Sequence, residues 1–231
     1  MITTEAHILL ERKVSDNLFL LLVDVDKYRQ WVPGMFMQVS FEKKGASEPW
    51  LDSRAFSFAS WGSSKARILV RREGTFTSTL IARAQDGFTT SIRYPFGNFL
   101  LNSRFNKVFL AGGAGISVFL SYLDYLNLED NAKESVIILH STKNEDETIR
   151  KIYWGKMPNN VHVLQFITNR EGRGYTGRFS INTIKSLISE RQDWSFYICG
   201  PPSFNAFWYE SLKAIGVRAN LEQWINEVIS Q

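Results

Sequence analysis

Hydrophobic residues in the first hundred positions form short runs that are rich in β-branched and aromatic side chains. Glycine, proline, aspartate and serine separate these runs and mark turns between them. Regular short strands of this kind favour a closed barrel or a sandwich. The pattern predicts strands over residues 5–12, 18–25, 35–42, 54–60, 66–72, 77–84 and 88–93.

From about residue 106 the pattern changes to strands that alternate with helices. Uniformly apolar strands separated by helices are typical of a parallel sheet covered on both faces. The sequence therefore predicts a β domain over residues 1–103 and an α/β domain over residues 104–231. Within the second domain the pattern predicts strands over 108–111, 136–140, 161–168 and 196–199, and helices over 116–126, 181–189 and 203–215, with a further helix starting at the acidic segment 144–147.

Composition narrows the classes of function. The 231-residue chain is 44% hydrophobic and 22% charged, which is typical of a folded protein. Its net charge of +4 is spread along the sequence, so nucleic-acid binding is not expected, although a basic surface suits an acidic protein partner. The single cysteine excludes an intramolecular disulfide and a cluster on several thiolates of this chain, and we predict no metal site. Without a membrane-spanning run or signal-peptide features, a cytoplasmic location is expected.

Two glycine-bearing segments follow predicted strands of the α/β domain. Gly112-Gly113-Ala114-Gly115 comes where the first of these strands passes into a helix, and Cys199-Gly200-Pro201-Pro202 follows the last. Backbone amides converge on anions at such positions, and ligands gather at the carboxyl edge of a parallel sheet. The two loops together outline a dinucleotide crevice. A plain tight turn is the alternative interpretation of the first loop, because it is not a complete GxGxxG motif.

A polar pattern interrupts the predicted strand at residues 54–60. Arg54 has a planar fork that can hold a phosphate, Phe56 offers a flat face to a ring, and Ser57 offers a hydrogen bond to a ring heteroatom. The segment 75–78 adds hydroxyls and amides for the same anion. An edge strand with a polar outer face is the alternative interpretation.

These segments, in this order, resemble the ferredoxin–NADP reductase-like flavoproteins over nearly the whole chain. The similarity is carried by Arg54-Ala55-Phe56-Ser57 (their RxYS), Pro33-Gly34-Met35-Phe36 (PGQY), the strand and phosphate-binding turn at 70–80, Tyr94-Pro95-Phe96-Gly97-Asn98-Phe99 (GPxGxF), Ala111–Val118 (AGGTGITP), Cys199–Pro202 (CGPP) and Leu221-Glu222-Gln223-Trp224. Departures are Phe56 for tyrosine, Ala114 for threonine and Val118 for proline.

The resemblance implies a six-stranded antiparallel flavin-binding barrel followed by a parallel-sheet nucleotide-binding domain, with the isoalloxazine between them. It implies that Ser57, Cys199 and Glu222 act in catalysis, through the flavin N5 region, the nicotinamide and a proton relay respectively. The implied cofactor-binding residues are Arg54, Ala55, Phe56, Ser57, Phe58, Leu69, Val70, Arg71, Gly74, Thr75, Phe76, Thr77, Ser78, Gly113, Ala114, Gly115, Ile116, Thr142, Arg170, Cys199, Gly200, Pro201 and Trp224.

The function implied is transfer of hydride from NADPH or NADH to FAD, and of electrons onward to a separate redox protein such as a ferredoxin or a flavodoxin. Arg170 follows the third α/β strand, where some relatives place an arginine on the 2′-phosphate, and it favours NADPH through such a contact; a solvated loop charge is the alternative interpretation. Two alternatives remain open: a reductase of free flavin or ferric iron, and a non-catalytic electron-transfer subunit of a larger complex. The chain lacks the four-cysteine cluster segment of several relatives, which argues against a self-contained iron–sulfur reductase.

Overall fold

The computed structural model describes residues 1–45, 47–101, 105–128, 134–169, 177, 179–188 and 194–222. The chain forms two compact units. In the described residues, the first unit comprises 1–101 and 117–125, and the second comprises 105–116 and 126–222. Each unit has its own sheet.

The sheet of the first unit is an antiparallel barrel of six strands, as the sequence predicts. The strand order is β4-β3-β6-β1-β2-β5, and the barrel is nearly closed where the Ala59 N–H donates to the Arg67 carbonyl oxygen at 2.7 Å. The strands are β1 Ile2–Lys13, β2 Leu18–Val25, β3 Phe36–Ser40, β4 Arg54–Ser57, β5 Lys65–Arg71 and β6 Phe88–Phe96.

One predicted strand is wrong: residues 77–84 belong to helix α1, Gly74–Asp86. The composition of this segment suggested a strand because it contains two threonines and an isoleucine. Its apolar positions Phe76, Leu80 and Ala84 recur every four residues, which places them on one face of a helix. That face packs on the barrel core, where Leu80 and Ala84 are completely buried. Tertiary burial therefore decides the conformation here.

An aromatic cluster anchors the segment between β2 and β3 to the barrel interior. The rings of Trp31 and Phe58 stack at 4.1 Å, and the Tyr94 ring meets both edge-on. The Trp31 Nε1–H donates to the Ser60 carbonyl oxygen at 2.9 Å. The Tyr94 hydroxyl donates to the Lys27 carbonyl oxygen at 2.7 Å and accepts from the Arg29 N–H at 3.1 Å. Burial raises the pKa of Tyr94, so the hydroxyl keeps the proton that it donates.

The sheet of the second unit is entirely parallel, as predicted, with strand order β11-β10-β7-β8-β9. The strands are β7 Asn106–Gly112, β8 Val136–Thr142, β9 Val161–Ile167, β10 Trp194–Cys199 and β11 Ala219–Leu221. The helices are α2 Ser117–Leu128, α3 Ile149–Ile152, α4 Ile181–Ile188 and α5 Pro202–Ala214, and two 3₁₀ turns span Gly113–Ile116 and Glu145–Glu147.

The helix start predicted at residues 144–147 lies in the second unit. The acidic segment 144–147 contains the 3₁₀ turn Glu145–Glu147, and the one-turn helix α3 follows it.

Among the described residues, no helix combines the length and the apolar character that a membrane span requires.

Tyr94→Phe tests the anchoring role of the aromatic cluster. The substitution keeps the ring but removes the hydroxyl that joins Lys27 and Arg29, so we expect the free energy of unfolding to fall by about 1–2 kcal/mol. Tyr209→Phe, at a partly exposed position of α5, is the matched control and should change stability by less than about 0.5 kcal/mol. Urea unfolding measures both, and equal midpoints for the two variants would contradict the anchoring role.

Candidate functional site

Two loops at the carboxyl edge of the parallel sheet approach each other closely, beside the ring of Phe204. A Cβ atom on Gly115 would lie 2.3 Å from the Cys199 carbonyl oxygen, and one on Gly200 would lie 3.0 Å from the Gly112 Cα. Gly113 has a φ of +53°, in the left-handed region that favours glycine. The structure thus brings together Gly113, Ala114, Gly115, Ile116, Cys199, Gly200 and Pro201.

The loops form a cradle with the properties of a phosphate site. The 3₁₀ turn Gly113–Ile116 follows a buried strand and leads directly into the twelve-residue helix α2. Backbone N–H groups at such a strand-to-helix junction are oriented towards an anion, and the missing side chains let it come close to the backbone. A dinucleotide pyrophosphate therefore fits the cradle.

Cys199 and Glu222 lie at the same edge of the sheet, on neighbouring chain segments. The Glu222 N–H donates to the Ile198 carbonyl oxygen at 3.1 Å, and the Glu222 carbonyl oxygen accepts from Asn205 Nδ2 at 3.4 Å. Both Cys199 and Glu222 are buried, at 2% and 5% exposure. The two predicted catalytic residues of this unit are therefore close in the fold.

A further polar group beneath the cradle was not predicted as functional. His140 is completely buried, and its Nε2 lies 3.1 Å from the Gly113 carbonyl oxygen. Its Nδ1 lies 3.1 Å from Gln165 Oε1 on the neighbouring strand β9. His140 belongs to none of the sequence motifs that carry the resemblance. The sequence feature that could have indicated a role for His140 is its position as a polar residue after the apolar run of strand β8.

Thr142, a predicted cofactor-binding residue, is also buried at the end of β8. Its hydroxyl donates to the Asn144 carbonyl oxygen at 3.0 Å and accepts from Gln165 Nε2 at 3.5 Å. These contacts place Thr142 in the same hydrogen-bonded group as His140.

In the first unit, Arg54 lies beside the first turn of helix α1. Its guanidinium carbon is 5.4 Å from the centre of the Phe76 ring, and Nη1 donates to the Ser53 carbonyl oxygen at 2.8 Å. Arg54 is exposed and forms no ion pair with a carboxylate among the described residues. A free guanidinium next to the positive end of a thirteen-residue helix is suited to bind a phosphate.

The predicted phosphate-binding residues Gly74, Thr75, Phe76, Thr77 and Ser78 occupy the first turn of α1. Thr77 already has partners there: its hydroxyl accepts from the Glu73 N–H at 2.7 Å and donates to the Glu73 carbonyl oxygen at 2.9 Å. That hydroxyl stabilises the start of the helix. Gly74 and Thr75 are exposed, so their backbone amides are the more accessible donors.

The other predicted flavin-binding residues differ in accessibility. Phe58 is completely buried against Trp31, so its side chain is not available to a ligand. Phe56 is 9% exposed and packs in the barrel core, with its ring 6.3 Å from that of Phe76. On strand β5, Leu69 and Val70 are buried and Arg71 is half-buried; Ala55 on β4 is half-buried as well.

Ser57 has an unsatisfied hydrogen-bonding group. Its side chain is 3% exposed, and among the described residues its buried hydroxyl has no hydrogen-bond partner. Buried hydroxyls nearly always have a partner because leaving one without costs about 1–3 kcal/mol. A ring nitrogen or oxygen of a bound ligand would supply it.

Arg170 and Trp224, both predicted to bind cofactor, lie outside the described residues, as does the neighbouring Arg173. Across the described ranges, no three histidine, cysteine, aspartate or glutamate side chains come together as a group that could hold a metal ion.

Comparisons with known proteins agree with this geometry. Residues 109–209 match the family model described as the oxidoreductase NAD-binding domain. The chain is 25% identical over 205 residues to a flavohemoprotein of Oceanobacillus iheyensis, covering 82% of this chain and 50% of that protein. It is 27% identical over 202 residues to the anthranilate 1,2-dioxygenase electron transfer component of Acinetobacter baylyi, covering 82% and 57% respectively. The chain thus spans about half the length of these curated relatives.

Solved structures show the same fold. The ferredoxin reductase in carbazole 1,9a-dioxygenase matches with a TM-score of 0.78 and 18% identity, over 97% of this chain and 70% of that one. A ferredoxin NADP+ reductase from Neisseria gonorrhoeae, with bound FAD and NADP, matches with a TM-score of 0.74 and 19% identity, over 95% and 98%. The fold predicted from the motifs is confirmed: residues 109–209 match the oxidoreductase NAD-binding domain model, and the chain has the fold of the ferredoxin reductases to which it is similar.

Proposed function

We propose that the protein is a flavin-dependent NAD(P)H oxidoreductase that transfers hydride from NAD(P)H to FAD and passes electrons to a separate acceptor. The observation that carries the proposal is the backbone cradle of Gly113, Gly115 and Gly200. It lies within the segment that matches the oxidoreductase NAD-binding family, at the sheet edge where dinucleotides bind.

The residues of the barrel unit fit FAD. Arg54, beside the first turn of α1, would bind the FAD pyrophosphate together with the exposed amides of Gly74 and Thr75. The buried hydroxyl of Ser57 would hydrogen-bond to a heteroatom of the flavin ring. FAD, when bound, accepts a hydride as two electrons and releases them singly.

The residues of the sheet unit fit the nicotinamide dinucleotide. The cradle would bind the pyrophosphate and so fix where the nicotinamide lies, since hydride transfer requires closely aligned rings. Cys199 would border the nicotinamide, and its burial would keep water from that position. Glu222, next to Ile198 on β10, would hold the proton that the reaction exchanges. Arg170 favours NADPH over NADH in this proposal.

We also propose that the boundary between the two domains lies between residues 103 and 104, as the sequence predicts. The electron acceptor is likewise part of this proposal. The flavohemoprotein and dioxygenase electron-transfer relatives are about twice as long as the matched region. By analogy with the electron transfer component among the relatives, the proposed acceptor is a separate redox protein such as a ferredoxin or a flavodoxin. The net charge of +4 favours docking of an acidic partner.

A purified, FAD-loaded protein tests the function directly. We expect it to be yellow and to bleach near about 450 nm when NADPH is added without oxygen, because hydride transfer reduces the flavin. A yellow protein that neither nicotinamide bleaches would support the non-catalytic subunit instead. A colourless protein that consumes NADPH only with added flavin would support the free-flavin reductase.

Arg54→Leu removes the guanidinium proposed to bind the FAD pyrophosphate. We expect the FAD dissociation constant to rise about 10- to 100-fold, the usual effect of losing a charge-assisted contact. Arg218→Leu is the matched control, since Arg218 is exposed and lies in the other unit. Titration of apoprotein with FAD, followed by flavin fluorescence, measures both constants. Unchanged FAD affinity in Arg54→Leu would rule out this role.

Gly115→Ala places a methyl group where the two loops touch. Because its Cβ would meet the Cys199 carbonyl oxygen, we expect a loss of about 1–3 kcal/mol of stability and weaker NAD(P)H binding. Gly45→Ala is the control, since its Cβ would meet only the flexible Glu48 side chain. Thermal unfolding and NAD(P)H titration measure the effects; wild-type affinity in Gly115→Ala would count against the cradle as the binding site.

A further inference from the structure

Four residues form one row across the parallel sheet, at its carboxyl end. Cys199 on β10 pairs with Ala111 on β7, Ala111 pairs with His140 on β8, and His140 pairs with Gln165 on β9. Directly paired residues of a parallel sheet present their side chains to the same face. The row therefore connects Cys199, at the proposed nicotinamide site, with the buried side chain of His140 and with Gln165.

The orientation of the Gln165 amide follows from its partners. The backbone N–H of Ile149 lies 3.1 Å from Oε1 and can only donate, so this atom must be the oxygen. The backbone oxygen of His140 lies 3.0 Å from Nε2 and can only accept, so this atom must be the nitrogen. Both contacts indicate the same orientation of the amide group, and the opposite orientation would lose both hydrogen bonds.

This orientation determines the protonation of the histidine ring. His140 Nδ1 faces the oxygen Gln165 Oε1, and His140 Nε2 faces the carbonyl oxygen of Gly113, each at 3.1 Å. Neither oxygen carries a proton, so each ring nitrogen must donate one for both hydrogen bonds to form. A neutral ring would turn one nitrogen lone pair towards an oxygen lone pair inside the protein.

We propose that His140 is a positioning residue, held as the imidazolium cation, that links the dinucleotide loop to strand β9 and places a buried positive charge behind that loop. The hydrogen bond to Gly113 holds the turn whose amides would bind the pyrophosphate. Through Gln165 the same group reaches the start of α3 at Ile149. The functional part of this inference rests on the proposed nucleotide binding.

Burial of a cation is unfavourable, so the neighbouring charges matter. The titratable groups on the surrounding elements are Lys107 on β7, His162 on β9, Cys199 and Tyr197 on β10, Glu145, Asp146 and Glu147 in the second 3₁₀ turn, and Arg150 and Lys151 on α3. Among them, Glu147 is the buried carboxyl group, at 2% exposure, two residues before Ile149. Lys151 pairs with Asp146 at 2.6 Å, so those two charges largely offset each other.

Nitrogen NMR of isotope-labelled protein tests the protonation state without any ligand. His140 is identified by comparison with His140→Gln, since the chain has only two other histidines. At about pH 7.5, where an unperturbed histidine is mostly neutral, we expect both ring nitrogens of His140 to carry protons. A neutral tautomer at that pH would overturn the imidazolium assignment.

A matched pair of variants tests the positioning role. Gln165→Glu keeps an oxygen facing both His140 Nδ1 and the Ile149 N–H but loses the donor to the His140 carbonyl oxygen, whereas Gln165→Leu removes both groups. We expect the NAD(P)H dissociation constant to rise roughly tenfold in Gln165→Leu and in His140→Gln, and by less than about fivefold in Gln165→Glu, which keeps the acceptor for the histidine ring. The rate of flavin reduction at saturating nucleotide should change by less than about threefold, because the loop and not the reacting group is disturbed.

His162→Gln, an exposed position of β9, is the control for histidine replacement on this sheet and should bind NAD(P)H as the wild type does. Circular dichroism and thermal unfolding identify any variant that fails to fold. Equal nucleotide affinity in wild type, Gln165→Leu and His140→Gln would overturn the positioning role. If the wild type itself bound neither NADH nor NADPH, the proposed function would fail, whereas the NMR result on His140 would stand independently.

Discussion

The close approach of two backbone loops is the constraint on which the nucleotide half of this protein depends. The strands that precede these loops, β7 and β10, are neighbours in a parallel sheet, so both loops emerge at one edge. They can touch only because Gly115 and Gly200 have no side chain between them. This contact sets the position of Cys199, and it leaves the amides of the Gly113–Ile116 turn at the junction with helix α2.

The buried polar residues of the sheet unit support that edge. His140 and Gln165 lie in the same row as Cys199, and their hydrogen bonds extend from the Gly113 carbonyl oxygen to the start of α3. A fully hydrogen-bonded buried network is rigid, because any displacement leaves a polar atom without a partner. The loop is therefore held from behind by strands β8 and β9 as well as by its own backbone.

The proposed flavin binding sets a different requirement for the barrel unit: polar groups must stay available to a large ligand while the unit remains stable. Stability comes from an interior that is completely buried and from the Trp31, Phe58 and Tyr94 cluster. The ligand-facing features are few: an exposed guanidinium at Arg54 beside a helix N-terminus, and a buried hydroxyl at Ser57 whose hydrogen-bonding capacity is unused among the described residues. A buried hydroxyl without a partner lowers stability, and the proposed flavin would supply the partner of Ser57.

Most of the fold was predictable because its hydrophobic patterns are regular. The parallel strands β7, β8 and β10 each contain a run of apolar residues and follow directly from the sequence, as do the glycine loops after β7 and β10. Helix α1 was not predictable by composition: its threonine and isoleucine residues suit a strand, and only packing of one face against the barrel core makes the segment helical.

Within the candidate site, local motifs identified Arg54, Gly113, Gly115 and Cys199, because backbone geometry and anion chemistry restrict the residue types at such positions. The sequence by itself therefore determined the two-part architecture and the chemistry of the principal loops. Only the tertiary structure assigned Thr77 to the start of its own helix, Phe58 to the core, and His140 to the back of the dinucleotide loop. The assignments of Phe58 and His140 depend on contacts between residues distant in sequence, Phe58 with Trp31 and His140 with Gln165, and the order of residues along the chain does not encode them locally. The assignment of Thr77 depends on the segment being helical, which packing against the barrel core decides.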